Sequence, residues 1–195
     1  MPNAARDNTL TMRQADAEQD TAHVRDLFWA YLQWVNACLN EQYGIDLDIA
    51  AMLEHDMATL DIFLPPQGRL LLAFDGHQAV GVACLRRIRQ GIAEIKRMYV
   101  RLAYRRRRVG RRLLEALLHE ARAMGCRAMR LDSPRFMVEA HALYRSAGFY
   151  EIDEYPEVEI APQYRQHWVF MEKRLQDESE AVEDVTGGEA DHALH

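Results

Sequence analysis

Cysteine is scarce in this chain of 195 residues. There are three, Cys38, Cys84 and Cys126, and no two of them are close in sequence. An odd number of isolated cysteines argues against a disulfide framework and against a cysteine-rich zinc site. Cys126 follows Gly125 and enters a predicted strand, so we expect a buried structural thiol there rather than a nucleophile.

Long hydrophobic runs are also missing. The longest apolar stretches are Leu70–Phe74 and Ala79–Leu85, well short of the roughly 18 residues that a membrane helix needs. The first twenty residues contain no apolar segment of the kind found in secretory signals. No HExxH, GxSxG or Walker sequence is present, which leaves metalloprotease, serine hydrolase and kinase chemistry without a motif. We therefore expect a cytoplasmic protein with no membrane partner and no metal.

The negative charge is concentrated at the C-terminal end. The chain carries 24 Lys and Arg against 30 Asp and Glu, a net charge of −6. Residues 177–191 hold seven acidic residues and no basic one, so the remainder is almost neutral, with 24 basic and 23 acidic residues. The sequence predicts a flexible N-terminus over 1–8, one folded domain over 9–175 and a disordered acidic tail over 176–195.

Hydrophobic periodicity and turn residues predict the element order β-α-α-β-β-β-α-β-α-β-β. Antiparallel hairpins followed by βαβ units indicate an α/β fold of the α+β type, a mixed sheet in a single domain with helices on both faces. The predicted strands span 9–13, 69–75, 78–87, 92–101, 127–132, 149–154 and 166–174. The predicted helices run from Thr21 to near Gly44, over 48–60, over 109–124, and from a Ser133 cap with Pro134 in the first turn to Gly148.

Arginine is concentrated after the strand predicted over 92–101 and at the start of the helix predicted over 109–124. Six arginines fall within eight positions: Arg105, Arg106, Arg107, Arg108, Arg111 and Arg112. A helix N-terminus offers unpaired N–H groups and partial positive charge, and guanidinium groups add bidentate phosphate contacts. This segment predicts a ligand with a di- or triphosphate, or a polyanion; a solvated basic face is the alternative.

The segment from Glu94 to Leu114 resembles the acetyl-coenzyme A motif of the GNAT N-acetyltransferases. The family signature Gln/Arg-x-x-Gly-x-Gly/Ala is matched by Arg105, Val109 and Gly110, whereas Arg108 replaces the first glycine. Leu131–Arg135, followed by Ala140, Leu143-Tyr144 and Gly148-Phe149, is similar to the second family element. The resemblance is strong over 69–175 and weaker over 9–64.

The resemblance implies the GNAT acyl-CoA N-acyltransferase fold and acetyl-CoA as co-substrate. Backbone amides from Arg106 to Arg111 would hold the pyrophosphate, and Met98, Tyr99 and Val100 would pair with the pantetheine arm as an added strand would. The expected coenzyme-binding residues are those three and Arg105, Arg106, Arg107, Arg108, Val109, Gly110, Arg111 and Arg112. If the loop needs positive φ at Arg108, the arginine costs on the order of 1 kcal/mol.

Two residues are predicted to catalyse transfer to an amine. Glu94 is expected on the face that holds Lys96, Met98 and Val100, and it matches the position of the general base in a subset of the family. It would act through water, and a cross-strand pair to Lys96 or Arg87 is the alternative. Tyr144 matches the family tyrosine that donates a proton toward the sulfur; a core tyrosine is its alternative. The backbone N–H of Met98 is the candidate oxyanion donor.

The acceptor is expected to be a primary amine of a small or amino-acid-like molecule. Five acids lie within nine positions, Glu151, Asp153, Glu154, Glu157 and Glu159, and an acidic rim would attract a cation. An exposed charged loop is the alternative. The aromatic residues Trp29, Tyr31, Trp34 and Tyr43 either line the pocket or pack in the core. His119 and His141 are expected on solvated helix faces.

Two other functions remain open. One is a catalytically weak CoA-binding protein, and the other is a module that binds a polyanion or nucleic acid through Arg105–Arg112. The nearly neutral body and acidic tail differ from the spread basic surface of nucleic-acid-binding proteins, so no nucleic-acid partner is expected. The chain is expected to be a monomer or a homodimer.

Overall fold

The computed structural model describes residues 10–175. The expectations of a flexible N-terminus over 1–8 and a disordered tail over 176–195 lie outside these residues. Eleven helices and strands follow the predicted order within the described range. The strands are β1 Leu10–Gln14, β2 Gly68–Asp75, β3 Gln78–Arg89, β4 Ile92–Val100, β5 Ala128–Pro134, β6 Tyr150–Ile152 and β7 Trp168–Arg174. The helices are α1 Thr21–Tyr43, α2 Ile49–Ala58, α3 Val109–Ala123 and α4 Val138–Ser146.

The seven strands form one mixed sheet in the order β1-β2-β3-β4-β5-β7-β6. Only β4 and β5 are parallel neighbours, and α3 connects them. A hairpin joins β2 to β3 through Gly76, whose φ of 61° suits the turn. The mixed sheet with helices predicted from the sequence is confirmed.

Each face of the sheet is covered by helices and buries its own apolar cluster. On one side α3 contributes Leu113, Leu114, Leu117, Leu118 and Ala121, which pack on Ile95, Met129 and Leu131. On the other side Leu27, Phe28 and Leu32 of α1 pack on Leu70, Leu72 and Val82. The amphipathic stripe of α3 therefore faces the sheet as its spacing indicates. None of the helices within residues 10–175 is long and apolar enough to cross a membrane.

The start of α4 differs from the sequence-based expectation. Ser133 and Pro134 are the last residues of β5, and α4 begins four positions later, at Val138. Pro134 is compatible with the end of a strand because its missing N–H removes only one ladder hydrogen bond. The cap-like Ser-Pro sequence was misleading here, because pairing with β7 continues through both residues, as far as Pro134 opposite Trp168.

Candidate active site

A bulge in β4 shapes the centre of the sheet. The register with β3 passes from Lys96 opposite Cys84 to Tyr99 opposite Val82, so Arg97 and Met98 together face one residue of β3. Arg97 has a φ of 50°. A bulge of this kind reverses the alternation of side chains along the strand. Met98 therefore packs with the α3 side, and Tyr99 with the α1 side.

The bulge corrects the predicted surroundings of Glu94. Glu94 and Lys96 do share a face, since Lys96 Nζ lies 3.4 Å from Glu94 Oε1. Met98 and Val100 lie on the opposite face, where they pack with the α3 cluster. Alternation by two predicts a common face only in a regular strand, and the extra residue at the bulge breaks that rule.

A slot opens between β4 and β5 beyond Ile95 and Leu131. Parallel pairing between the two strands ends at Ile95 and Leu131, although both strands continue. The gap is a cavity of about 40 Å³. Its lining comprises Tyr31, Ile95, Lys96, Arg97, Met98, Leu131, Asp132, Ser133, Met137 and Tyr144. The edge of β4 from Lys96 to Met98 thus faces this gap and has no strand partner on the β5 side.

Tyr144 lies at this slot. Its hydroxyl is 3.8 Å from Met98 Sδ, and its ring packs 5.8 Å from that of Phe149. Burial raises the pKa of Tyr144, and the neighbouring Tyr31 and Asp132 act in the same direction. The hydroxyl therefore keeps its proton well above neutral pH, which is the state needed to donate a hydrogen bond. Tyr144 is buried in the core and also lines the slot. The core position and the site position, which were alternatives in the sequence analysis, are therefore the same place.

Glu94 is completely buried, and its carboxylate is paired with side chains of the protein. Its Oε2 is 2.7 Å from Nη2 of Arg86, and its Oε1 accepts a hydrogen bond of 2.6 Å from Tyr155. The cross-strand partner is thus Arg86 of β3, while Lys96 contacts Glu94 from the same strand. Arg87 is not a partner, because its guanidinium donates to the carbonyl of Met124. Glu94 lies behind the slot and does not line it.

Lys96 links Glu94 to the slot. Its ammonium lies 2.5 Å from Asp132 Oδ2 and 3.6 Å from Glu159 Oε2. Burial acts to lower the pKa of Lys96, but the carboxylates of Asp132, Glu94 and Glu159 outweigh it, and the pKa is raised. Lys96 is therefore a charged ammonium surrounded by three carboxylates. Nothing in the local sequence around Lys96 indicates the contact with Asp132, which is 36 positions away.

The N-terminus of α3 lies beside the end of β4. A Cβ placed on Gly110 would lie 3.8 Å from Met98 Cε and 3.9 Å from a methyl group of Val100. Arg108 precedes the helix with a φ of 60° and gives no side-chain cap. Because arginine has no acceptor atom, the first N–H groups of α3 are left for another partner. Arg106 also has a positive φ, 62°.

The arginine side chains spread over several partners. Arg105 stacks 4.4 Å above the ring of Trp34, and Arg107 lies over Tyr104 and 3.3 Å from Asp75. Arg112 donates to the carbonyl of Leu10. Arg106 is 90% exposed, with its guanidinium 3.8 Å from Glu139. The exposed members of the run therefore surround the uncapped end of α3.

A second, larger cavity of about 590 Å³ adjoins the slot. Its apolar wall comes from Leu47, Ala51, Met52, Ile62 and Phe63, and its polar lining includes Asp56, Arg86, Lys96, Arg97 and Glu159. Lys96 and Arg97 line both cavities. The two cavities therefore share a wall at Lys96 and Arg97. The volume is that of a small-molecule site.

The predicted acidic rim is largely neutralised by arginines. Glu159 contacts Arg86, Glu157 contacts Arg89, Glu154 contacts Arg165, and Glu151 contacts Arg145. Asp153 is exposed. Of these five acids, Glu159 lines the larger cavity. A surface carboxylate already paired with arginine exerts little additional attraction on a cation.

A buried Ser–His pair was missed by the sequence analysis. His141 is 4% exposed, and its Nε2 lies 3.0 Å from the hydroxyl of Ser133, which lines the slot. The expectation of a solvated face for His141 is wrong, because α4 turns this side chain toward the end of β5. Burial lowers the pKa of His141, and Arg145 adds to the effect. His119 is exposed and Cys126 is buried, both as expected.

The four aromatic residues considered for the pocket have different environments. Tyr31 lines the slot. Trp34 packs against Tyr99 and Phe136, and Tyr43 stacks on His167 at 4.3 Å. Trp29 packs with the α1 cluster. No group of three or more His, Cys, Asp and Glu residues in the described part of the chain is arranged to hold a metal ion.

Comparisons with known proteins agree on one family. The model of the acetyltransferase (GNAT) family matches residues 22–149. An IAA acetyltransferase of Azospirillum brasilense is 33% identical over 103 residues, which are 52% of this chain and 67% of that protein. An uncharacterized N-acetyltransferase of Schizosaccharomyces pombe is 26% identical over 150 residues, 76% of this chain and 87% of that protein.

Solved structures share the fold. A GNAT-family acetyltransferase of Staphylococcus aureus superposes with a TM-score of 0.66 at 17% identity, covering 86% of this chain and 99% of that one. The PaiA N-acetyltransferase of Thermoplasma acidophilum, in complex with coenzyme A, gives 0.66 at 19% identity, with 85% and 99% covered. The yncA protein of Salmonella typhimurium, with its cofactor acetyl-CoA, gives 0.60 at 20% identity, with 86% and 95% covered.

Proposed function

This chain belongs to the acetyltransferase (GNAT) family, and we propose that it transfers an acetyl group from acetyl-CoA to a primary amine of a small or amino-acid-like acceptor. The observation that carries the proposal is the slot between β4 and β5, with the uncapped N-terminus of α3 beside the end of β4. Two of the similar structures contain acetyl-CoA or coenzyme A. In this assignment Tyr144 and Glu94 are the proposed proton-transfer residues.

The protein groups present fit the co-substrate. The free N–H groups at the start of α3 and the exposed Arg106 and Arg108 suit a pyrophosphate. The unpaired edge from Met98 to Val100 suits the amide-containing arm of coenzyme A, which can add to the sheet as a strand. Together, residues 98–100 and 105–112 form the proposed coenzyme site. The thioester supplies the activated acetyl group.

Tyr144 is the proposed proton donor to the departing sulfur. Its hydroxyl faces the slot beside Met98, and burial keeps it protonated. A raised phenol pKa makes full proton transfer to a thiolate unfavourable, so the contribution depends on a hydrogen bond in a fixed position. The backbone N–H of Met98, within the bulge, is the proposed donor to the oxyanion.

Removal of the amine proton is assigned to Glu94 acting at a distance. Because Arg86, Tyr155 and Lys96 surround its carboxylate, Glu94 can reach an acceptor only through water. Asp132 lies in the slot itself and is the alternative base. The cationic Lys96 beside both carboxylates would favour the neutral form of a bound amine.

Calorimetry and a thiol-release assay test the function. We expect micromolar-range heat for acetyl-CoA and coenzyme A and none for a duplex oligonucleotide. Preferential oligonucleotide binding with a steep salt dependence would favour the polyanion-binding alternative. With acetyl-CoA bound, an amine panel should release thiol; binding without release would indicate a CoA-binding protein without turnover.

Variants separate the catalytic roles. Tyr144→Phe should lower kcat by about tenfold to a hundredfold and leave coenzyme affinity within about twofold, since phenylalanine keeps the packed ring and removes only the hydroxyl. Unchanged turnover would remove the assigned role of Tyr144. Glu94→Gln and Asp132→Asn should differ in the acidic limb of the pH profile of kcat/KM. The acidic limb should be lost in the variant that removes the base.

A further inference from the structure

Three ion pairs form the floor of the larger cavity and its junction with the slot. Arg97 binds Asp56 at 2.6 Å, Arg86 binds Glu94 at 2.7 Å, and Lys96 binds Asp132 at 2.5 Å. Each pair consists of one cation and one carboxylate, with most of both side chains buried. These pairs balance the buried charges of the floor among themselves.

Glu159 adds a fourth carboxylate to this floor. Its Oε1 is 2.7 Å from Arg86 Nη1, and its Oε2 is 3.6 Å from Lys96 Nζ. Its side chain is 59% exposed, whereas those of Arg86 and Lys96 are 14% and 8% exposed. It lies in the irregular segment between β6 and the 3₁₀ turn Pro162–His167. Arg86 and Lys96, which are already paired with Glu94 and Asp132, therefore also hold a further carboxylate in a position between them, and this carboxylate reaches them from the rim.

We propose that this position between Arg86 and Lys96 binds the carboxylate of the acceptor, and that Glu159 occupies it until the acceptor displaces it. The inference rests on the proposed acetyl transfer, since it identifies the acceptor as a small amino acid. Exchange of one carboxylate for another leaves the charge balance of the floor unchanged. The exposed Glu159 side chain returns to water without becoming a buried unpaired charge.

The rest of the cavity matches this class of acceptor. An amino group one or two carbons from the carboxylate would lie near Lys96, which lines both the cavity and the slot. The ammonium of Lys96 would favour the neutral, nucleophilic form of that amine. The wall formed by Leu47, Ala51, Met52, Ile62 and Phe63 is suited to an apolar side chain. We therefore expect an α- or β-amino acid with an apolar side chain.

A cationic amine without a carboxylate is the competing acceptor. Of the carboxylates that line the larger cavity, Asp48 accepts a hydrogen bond from the N–H of Ala51, Asp56 binds Arg97, and Glu159 contacts Arg86 and Lys96. Burial acts to raise the pKa of Glu159, and these two cations outweigh it and lower the pKa. The charge of Glu159 is thus already neutralised by cations of the protein, so it attracts a cationic amine only weakly.

Binding to the full-length protein loaded with coenzyme A tests the inference directly. Leucine, leucinamide and isoamylamine form a matched series that differs at the carboxylate. By calorimetry, leucine should bind at least about tenfold more tightly than the other two, because a charged hydrogen-bonded group is lost in both. Equal or tighter binding of leucinamide or isoamylamine, or no binding of leucine at millimolar concentration, would overturn the proposal.

A variant tests the displacement by Glu159. Glu159→Gln removes the competing charge, so leucine affinity should rise by about threefold or more, with no comparable gain for leucinamide. Glu154→Gln is the matched control, since Glu154 contacts Arg165 in the same segment and does not line the cavity. Weaker leucine binding in Glu159→Gln than in Glu154→Gln would contradict the displacement.

Thiol release distinguishes failure of this inference from failure of the proposed function. Selective leucine binding without release from any acceptor would contradict acetyl transfer and support the carboxylate position. Release with isoamylamine at a kcat/KM equal to that with leucine would support acetyl transfer and contradict the carboxylate position.

Discussion

Replacing Arg108 with glycine should stabilise the fold. Arg108 has a φ of 60° and a ψ of 9°, in the left-handed region. This conformation costs a residue with a Cβ about 1–2 kcal/mol, whereas glycine adopts it freely but loses about 0.5–1 kcal/mol more conformational entropy on folding. Taken from the middle of each range, the net stabilisation should be about 0.75 kcal/mol. For a chain of this length, that corresponds to an increase in Tm of about 1–4 °C.

Thermal unfolding of Arg108→Gly and Arg108→Ala separates the backbone effect from the charge effect. Both variants remove one of six clustered arginines, but alanine keeps the Cβ that is unfavourable at positive φ. Arg108→Gly should therefore melt above Arg108→Ala. A glycine variant no more stable than the alanine variant would refute the argument that the left-handed backbone at Arg108 is strained.

The same pair of variants tests the coenzyme site. If the amides before α3 hold a pyrophosphate, glycine permits closer approach, and Arg108→Gly should bind coenzyme A more tightly than Arg108→Ala in calorimetry. Both variants lack the same charge, so their difference should persist as salt is raised. Equal affinities would show that the backbone at Arg108 has no part in the site.

Three further predictions concern stability. Burial lowers the pKa of His141, whereas an unfolded histidine takes up a proton near pH 6.5, so the free energy of unfolding should fall as the pH drops below about 6.5. His141→Gln should flatten this dependence in urea melts from pH 7.5 to 5.5. An unchanged slope in the variant would contradict the prediction. Asp56→Ala should lower the free energy of unfolding by about 3 kcal/mol, because it leaves Arg97 buried and without its carboxylate partner. Asp61→Ala, at an exposed position, is the control and should leave the midpoint of chemical denaturation almost unchanged. Gly68→Ala should cost about 3 kcal/mol, since its Cβ would lie 2.4 Å from the carbonyl oxygen of Ile62; Gly76→Ala, at a φ of 61° with open space, should cost about 1 kcal/mol in the same melts.

The order of the elements was predictable because each signal is local. The apolar stripe of α3 recurs at helical spacing, and its five residues Leu113, Leu114, Leu117, Leu118 and Ala121 are all buried. Gly44, Gly76 and Gly125 have positive φ at the turns where the sequence places them. The strand, the arginine loop and the helix are consecutive in the chain, so local sequence signals also predicted that the proposed anion site lies next to β4.

The prediction that failed at β5 shows the limit of local signals. Ser133-Pro134 has the composition of a helix cap, yet both residues pair with β7, about 35 positions later. Pairing with a distant strand outweighs a cap preference of about 1 kcal/mol. The faces of Met98 and Val100 were misjudged for a related reason, because the bulge at Arg97 is set by the register with β3.

The element order, the mixed α/β class, the family motifs and the arginine loop before α3 could be predicted, because they depend on neighbouring residues and on helical or strand periodicity. Which polar groups meet depends on the folded chain: Arg86 contacts Glu159 across 73 positions, Lys96 contacts Asp132 across 36, and His141 contacts Ser133 in the interior. Partners in a folded chain are chosen by the packing of the whole sheet, and the energy of an ion pair depends on burial that no local pattern contains.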